Sequence, residues 1–422
     1  MVERAIDILG RSNLFITGGA GSGKTTLTRA IIDNAKREGK AVACLASTGM
    51  AATLIGGQTL HSFFDLGIAS SEQELERSGK LEPSKKVLRL IRSMRLIVID
   101  EISMVSAPLL DMIRLRLLQA GFEGRLVAVG DFLQLPPVVR GNEPICFAFE
   151  SPSWKRFGFE TIHLEGSYRT HEAEFLSLLE SVRHARLDEK AYGALEALVK
   201  PLGEDKSAIT LLYGKNASAQ NHNRSQLSHL HGEAVEIATC VTVHDKKVQE
   251  RDVERFMNDS RIEPVLTLKV GAPILFTRNA WNYYNGERGR IIGVEDEAIW
   301  VKKENGTNVK VERAETTKTR WVEKGNTAFE EKLITLSQFP ITLAFAITIH
   351  KSQGMSLADY VIETNEIFAP SQFYVALSRS VSAYRVTLTK PNRSWEKLCF
   401  VHPRAMAYYC HSREGGNEGT GY

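Results

Sequence analysis

The sequence predicts an α/β protein made of two doubly wound parallel-sheet lobes, on three observations. In the first half, short apolar runs at residues 14–17, 41–47, 96–99 and 126–129 alternate with helical segments, and each run ends in polar or glycine residues. The alternation resumes near Tyr168, with candidate strands at 208–213, 342–346, 360–363 and 385–389. At 422 residues the chain is also too long for one ordinary hydrophobic core.

Taken in order, the chain opens with Val2, Ala5, Ile6 and Leu9 on a short helical face and runs straight into the first strand. That leaves no room for a targeting peptide, so a cytoplasmic or otherwise reducing compartment is expected. The first strand ends in Gly18-Gly-Ala-Gly-Ser-Gly-Lys-Thr-Thr26. Gly18, Gly19, Gly21 and Gly23, with Ala20 and Ser22 between them, let the backbone curl with its N–H groups inward. The helix beginning near Lys24 adds its positive dipole end, which makes a phosphate cradle. Lys24 is placed to reach the β and γ phosphates of ATP, and the Thr25 hydroxyl, next to Thr26, to ligate Mg²⁺.

Residues 67–86 are rich in Glu, Lys and Ser and read as a small surface insertion, equally a solvated loop or a functional pin. The third apolar run then delivers Asp100 and Glu101 at its carboxyl end, where ligand chemistry sits in a parallel sheet. Asp100 suits Mg²⁺, and Glu101 suits a base that positions and deprotonates water. Gly130-Asp-Phe-Leu-Gln-Leu-Pro-Pro137 follows the fourth strand and brings Gln134 to the same edge, within reach of a γ phosphate.

In the second half, short β-like pieces at 290–294, 299–302 and 308–312 with intervening turns predict a small β-barrel inserted at about 290–337. Thr348-Ile-His-Lys-Ser-Gln-Gly354 follows a strand, and Phe373-Tyr-Val-Ala-Leu-Ser-Arg-Ser380 reads as a short helix carrying Arg379. These two segments make sense together if the second lobe faces the first and lends arginines to its nucleotide. The glycine-rich stretch within 411–422 predicts a disordered tail.

Composition narrows the function classes. A net charge of +3 confines any nucleic-acid surface to a local channel. The five cysteines lie far apart, which argues against a zinc site or a disulfide framework. No apolar run approaches membrane-spanning length.

The ordered series of segments resembles the superfamily 1B DNA helicases of the Pif type, relatives of RecD. Besides the segments already quoted it includes Ala46-Ser-Thr-Gly-Met-Ala-Ala52, Thr59-Leu-His-Ser-Phe-Phe64, Phe149-Glu-Ser-Pro-Ser-Trp154, Leu164-Glu-Gly-Ser-Tyr-Arg169, Leu268-Lys-Val-Gly-Ala272 and Asn285-Gly-Glu-Arg-Gly289. The resemblance implies RecA-like lobes at 1–167 and at 168–289 with 338–400, and an SH3-like character for the 290–337 insertion. It implies that Lys24, Thr25, Asp100, Glu101 and Gln134 handle ATP and Mg²⁺, with Gly354 near the nucleotide and Arg169 and Arg379 as arginine fingers. It further implies single-strand contacts from Thr48, Gly49, His61, Ser62 and Phe63 in the first lobe and from Thr348, His350 and Lys351 in the second. Small polar residues suit phosphates and Phe63 offers a face for a base, although Phe63 and Phe64 equally suit core packing and the histidines a structural role. The implied activity is ATP-driven 5′-to-3′ translocation on single-stranded DNA and unwinding of forked duplex, by a monomer. A RecD-like recombination subunit or a nucleic-acid-stimulated ATPase acting on RNA are the alternatives. The sequence departs from the family pattern in three places: residues 1–12 contain no Gln to contact adenine, the glycine turn at 121–124 is imperfect, and Thr170 stands where Gln is common.

Overall fold

The computed structural model describes residues 1–47, 57–67, 69–139, 143–201, 209–260, 262–324 and 327–414. Its first sheet contains β1 (Asn13–Gly18), β2 (Val42–Ala46), β3 (Gln58–Thr59), β4 (Leu96–Asp100), β5 (Arg125–Val129) and β6 (Phe159–Leu164). All pairings are parallel and the spatial order is β3-β2-β4-β5-β1-β6. The side-chain alternation of the strands explains why helices cover both faces. Leu14, Ile16, Leu96, Val98, Val127 and Val129 pack on one side with Ile31 and Ile32 of the helix Lys24–Arg37. Phe15, Ile97, Ile99, Leu126 and Ala128 pack on the other with Leu110 and Ile113 of the helix Ala107–Ala120. A strand buried on both faces must be apolar throughout, as β4 is down to Asp100.

This strand order positions the chemistry. β4, β5 and β1 are adjacent, so the acids after β4, the Gln134 loop after β5 and the glycine loop after β1 leave the sheet side by side at its carboxyl edge.

Several expectations need correction at their boundaries. The opening helix Val2–Arg11 buries Ala5 and Ile8, while Val2 is exposed. The 67–86 segment is not a detachable surface loop. Leu66, Ala69 and Leu75 lie in the core. The buried Arg116 donates to the carbonyls of Phe64 at 3.0 Å and Leu81 at 2.7 Å, and to that of Lys80. Polar composition concealed this, because the anchor is an arginine reaching backbone oxygens from a different helix.

The second lobe's sheet joins β7 (Thr210–Tyr213) to strands that arrive much later in the chain. Between them lie β8 (Val235–Ala238), β9 (Cys240–Val243), β10 (Val265–Leu268), β11 (Pro273–Phe276), β12 (Arg288–Val294), β13 (Ala298–Lys303), β14 (Asn308–Glu312), β15 (Ala314–Lys324), β16 (Thr327–Gln338) and β17 (Ile341–Leu343). Then come β18 (Ala346–Thr348), β19 (Tyr360–Ile362) and β20 (Val386–Leu388). The lobe's parallel sheet runs β18-β7-β19-β20. The β-rich insertion therefore exceeds 290–337: β12 to β14 pair outward to β11 and β17, and the long β15–β16 hairpin pairs with β9. The single strand expected at 342–346 is in fact split between two sheets, its first part closing the insertion and its end opening β18. Periodicity alone could not separate two consecutive strands that belong to different cores.

Residues 411–414 are helical, closing the helix Pro403–Glu414, and the rest of the expected tail lies outside the described residues. That helix returns to the first lobe. Tyr408 stacks on Phe149 at 4.3 Å and meets Phe132 edge-on at 5.3 Å. Phe132 also packs against Phe15 and Trp154, so the loop carrying Gln134 is pinned by aromatic contacts from both ends of the chain. Among the described residues no helix is long and apolar enough to cross a membrane.

Candidate active site

The glycine loop turns through left-handed backbone at Gly21 (φ 76°) and Gly23 (φ 89°), and Gly23 is the N-cap of the helix Lys24–Arg37. A Cβ at Gly21 would come within 2.7 Å of Arg169 Cβ and Ser167 Oγ, so glycine is required there for space as well as for φ. Lys24 Nζ folds over the loop and donates to the carbonyl oxygens of Gly18 at 2.7 Å and Gly19 at 2.8 Å. Burial lowers the Lys24 pKa, while Asp131, Glu101 and Asp100 pull it back upward. Among the described residues, Ser22 Oγ is buried without a hydrogen-bond partner. That hydroxyl, the free amides of a helix N-terminus and an ammonium bonded to carbonyls form a donor set that suits phosphate oxygens. Thr25 and Thr26 are exposed at the same helix start.

Glu101 adopts left-handed backbone (φ 51°), and its N–H donates to Asp100 Oδ1 at 2.9 Å, fixing the two acids relative to each other. Burial raises the pKa of Asp100. Burial and then the neighbouring Asp100 charge push Glu101 up to about 7. A carboxyl that titrates near neutrality is suited to accept a proton from water. The kcat/KM for ATP, which reports the free enzyme, is therefore expected to rise with pH through about 7 as Glu101 loses its proton. The check is a kcat/KM profile between about pH 6 and pH 8. The parent should show the rise and Glu101→Gln should be nearly inactive throughout; a flat parent profile would remove Glu101 from the role of base.

The second lobe closes directly on this edge. Gln353 Nε2 donates to Glu101 Oε2 at 2.9 Å, and Ala20 N donates to Tyr374 Oη at 2.9 Å. Arg183 forms a two-pronged pair with Asp131, Nε to Oδ2 and Nη2 to Oδ1 both at 3.1 Å, with both side chains buried. Burial alone would raise the Asp131 pKa, but Arg183 and Lys24 outweigh it and hold the carboxyl below its usual range. Removing either partner would strand the other's buried charge, a loss of about 3–5 kcal/mol that measures the uncompensated charge and not the net worth of the pair. Gln134 Nε2 donates to Asp131 Oδ2 at 3.3 Å and is oriented by the same pair.

Arg379 is buried, donating to Val375 O at 2.8 Å, Ser378 Oγ at 2.9 Å and Ser352 O at 3.3 Å. Burial, and then Arg169, lower its pKa to about 9, while Glu101 is near enough to raise it. Arg169 donates to Ser378 O at 2.6 Å and stands against Gly21. The structure thus brings together Lys24, Asp100, Glu101, Gln134, Arg169 and Arg379. Gln353, Asp131, Arg183 and Tyr374 were missed as site residues. Gln353 and Tyr374 lie within motifs that had been read, so their position was available; Arg183, in an ordinary amphipathic helix, gave no signal. Gly354 has left-handed backbone (φ 79°) in the turn after Gln353.

The expected strand contacts divide. Thr48 and Gly49 lie outside the described residues. Phe63 is only 3% exposed and meets Phe64 edge-on at 5.0 Å, so it packs the core and offers no face to a base. Two adjacent aromatics on one turn of the four-residue helix Leu60–Phe63 both find apolar cover there, and burial outweighs exposure for display. Thr348 is also buried, and its Oγ1 accepts from Lys351 N at 3.2 Å, so it shapes the turn. His61 and the exposed Ser62 line a cavity of about 260 Å³ between the first lobe and the β insertion. His61 Nε2 lies 3.2 Å from Ala69 O, and burial lowers the ring's pKa. His350 and Lys351 are half-buried in the turn after β18.

The PIF1-like helicase family matches residues 1–191. The ATP-dependent DNA helicase Pif1 of Campylobacter jejuni is 37% identical over 400 residues, covering 90% of this chain and 90% of that protein. The crystal structure of Bacteroides sp Pif1 in complex with ADP-AlF4 is similar with a TM-score of 0.84 at 28% identity, covering 99% of this chain and 98% of that one. Bacteroides Pif1 bound to ssDNA is similar with a TM-score of 0.66, also at 28% identity, over 99% and 98%.

Proposed function

The chain belongs to the PIF1-like helicase family as an ATP-hydrolysing DNA helicase, and on that premise we propose that it moves 5′ to 3′ on single-stranded DNA and opens duplex ahead of it. The observation that carries the motor reading is the Gln353–Glu101 hydrogen bond, which ties the orientation of the hydrolytic carboxylate to contact between the lobes. Lys24 and the loop amides hold the β and γ phosphates, Gln134 lies at the γ phosphate, and Glu101 orients the attacking water and takes its proton. Arg169 and Arg379 face the developing charge from the second lobe.

Mg²⁺ favours one or two protein oxygens together with phosphates, and Thr25 Oγ1 and Asp100 are the residues that would hold it. It would supply neutralisation of the charge on the nucleotide phosphates. Hydrolysis removes the group that draws both lobes together, so the cleft loosens and the strand grips alternate. His61 and Ser62 in the first lobe and His350 and Lys351 in the second are the grips we assign. One chain carries both halves of the candidate site, which supports our reading of a monomer as the catalytic unit; the setting we assign is reducing and cytoplasmic.

The direction is tested with tailed duplexes. Unwinding is expected on a 5′-tailed or forked duplex, with dependence on ATP and Mg²⁺, and little is expected on a 3′-tailed or blunt one. Efficient opening of the 3′-tailed duplex would overturn the direction and leave the ATPase assignment standing. Residues 67–86 remain our choice for the pin, but the Arg116 clasp means that point substitutions in the helix Glu72–Arg77, and not deletion, are the informative variants.

A further inference from the structure

Trp281 is 95% exposed, on a loop between β11 and β12 that is tied down on either side of it. Ala280 N donates to Tyr283 O at 2.8 Å, Asn285 N donates to Asn279 Oδ1 at 2.8 Å, and Lys303 Nζ donates to Asn282 O at 2.9 Å. Tyr283 stacks on the buried Phe276 at 4.1 Å and 11°. The next aromatic, Tyr284, is 53% exposed. A large indole in water has no stabilising role in the fold, and a loop anchored this firmly displays it at little further conformational cost on binding.

The loop walls a cavity of about 1030 Å³ whose charged lining is Arg278, Lys303, Lys310 and Arg313 against Glu287 and Glu312. The excess is cationic, and Lys310 pairs with Glu312 at 3.1 Å through side chains that are both largely in solvent, a weak contact that phosphate can replace. This cavity shares Arg278, Asn279 and Ala314 with a neighbour of about 600 Å³. The neighbour in turn shares Gly57, Gln58 and Thr319 with the cavity that contains His61 and Ser62. The three are therefore neighbours in a row, which we read as one groove from the first-lobe grip to the aromatic loop.

We propose that the Trp281 loop is a second single-stranded nucleic-acid site, where a base of the strand stacks on the indole and Lys310 meets its phosphate, at the far end of the groove from His61. The inference rests on the DNA-helicase reading of the same groove. A protein partner would favour an apolar surround, whereas amide side chains and an excess of cations surround this ring.

The test is equilibrium binding of labelled oligothymidines of about 6 and about 16 nucleotides, spanning the usual site sizes of single-strand folds. Trp281→Ala should weaken binding of the longer strand about 5- to 140-fold, the effect of one lost base stack, and leave the shorter unchanged. Trp281→Phe should restore most of the loss, and melting temperatures should match because the ring buries nothing. Unchanged affinity for the longer strand in Trp281→Ala would overturn the site, as would an equal loss on both lengths. A parent chain that bound neither oligonucleotide would overturn the DNA reading together with this one.

Discussion

Lys24→Ala is expected to abolish ATP turnover while single-strand affinity stays within a fewfold of the parent. Among the described residues the ammonium is held by the carbonyls of Gly18 and Gly19, contacts it exchanges readily for phosphate oxygens. In the buried setting that lowers its pKa, the same charge acts through a low dielectric, where a preorganised group is worth at least about 10²–10³ in kcat. His61 and Ser62 line a cavity that includes no residue of the glycine loop, which is why DNA affinity should survive. ATPase and oligonucleotide binding measured on one preparation, with circular dichroism for folding, decide it. Turnover within a fewfold of the parent would remove Lys24 from the phosphate site.

Arg379→Ala is expected to bind ATP and hydrolyse it about 10³- to 10⁵-fold more slowly, the range for an arginine that stabilises charge on a transferring phosphoryl group. The competing account is structural, since its guanidinium satisfies two carbonyls and a hydroxyl within its own lobe. That account predicts a lowered melting temperature with turnover largely kept. Its proximity to Glu101 and Arg169 favours the catalytic one, because a buried cation with its pKa lowered to about 9 is poorly compensated until an anion arrives. Thermal melting and kcat on the same variant separate the two.

The parts of the site that were legible in the sequence are those whose chemistry is local. A glycine loop between an apolar strand and a helix, two acids at the end of a strand buried on both faces, and a Gln in the next loop each declare themselves within about ten residues, because strand and helix periods are short-range properties. That these three segments share one edge of the sheet also followed, since parallel strands place their carboxyl ends together; that they are neighbours along it came from the strand order. Phe63 was ambiguous for the opposite reason: an aromatic beside a polar motif has the same local pattern whether it faces a base or the core.

By itself, then, the sequence determined the α/β class, the phosphate loop, the acids and the order of the motifs. Only the tertiary structure decided that Glu101 meets Gln353, 252 positions away, that Asp131 is locked to Arg183, and that the terminal helix returns to brace the Gln134 loop. It also decided that Arg116 binds the polar 67–86 segment into the core and that the β insertion begins at β8 and ends at β17. Local pattern fixes which face of an element is apolar. Which distant element covers that face depends on burial and hydrogen bonds between parts of the chain whose separation leaves no periodic trace.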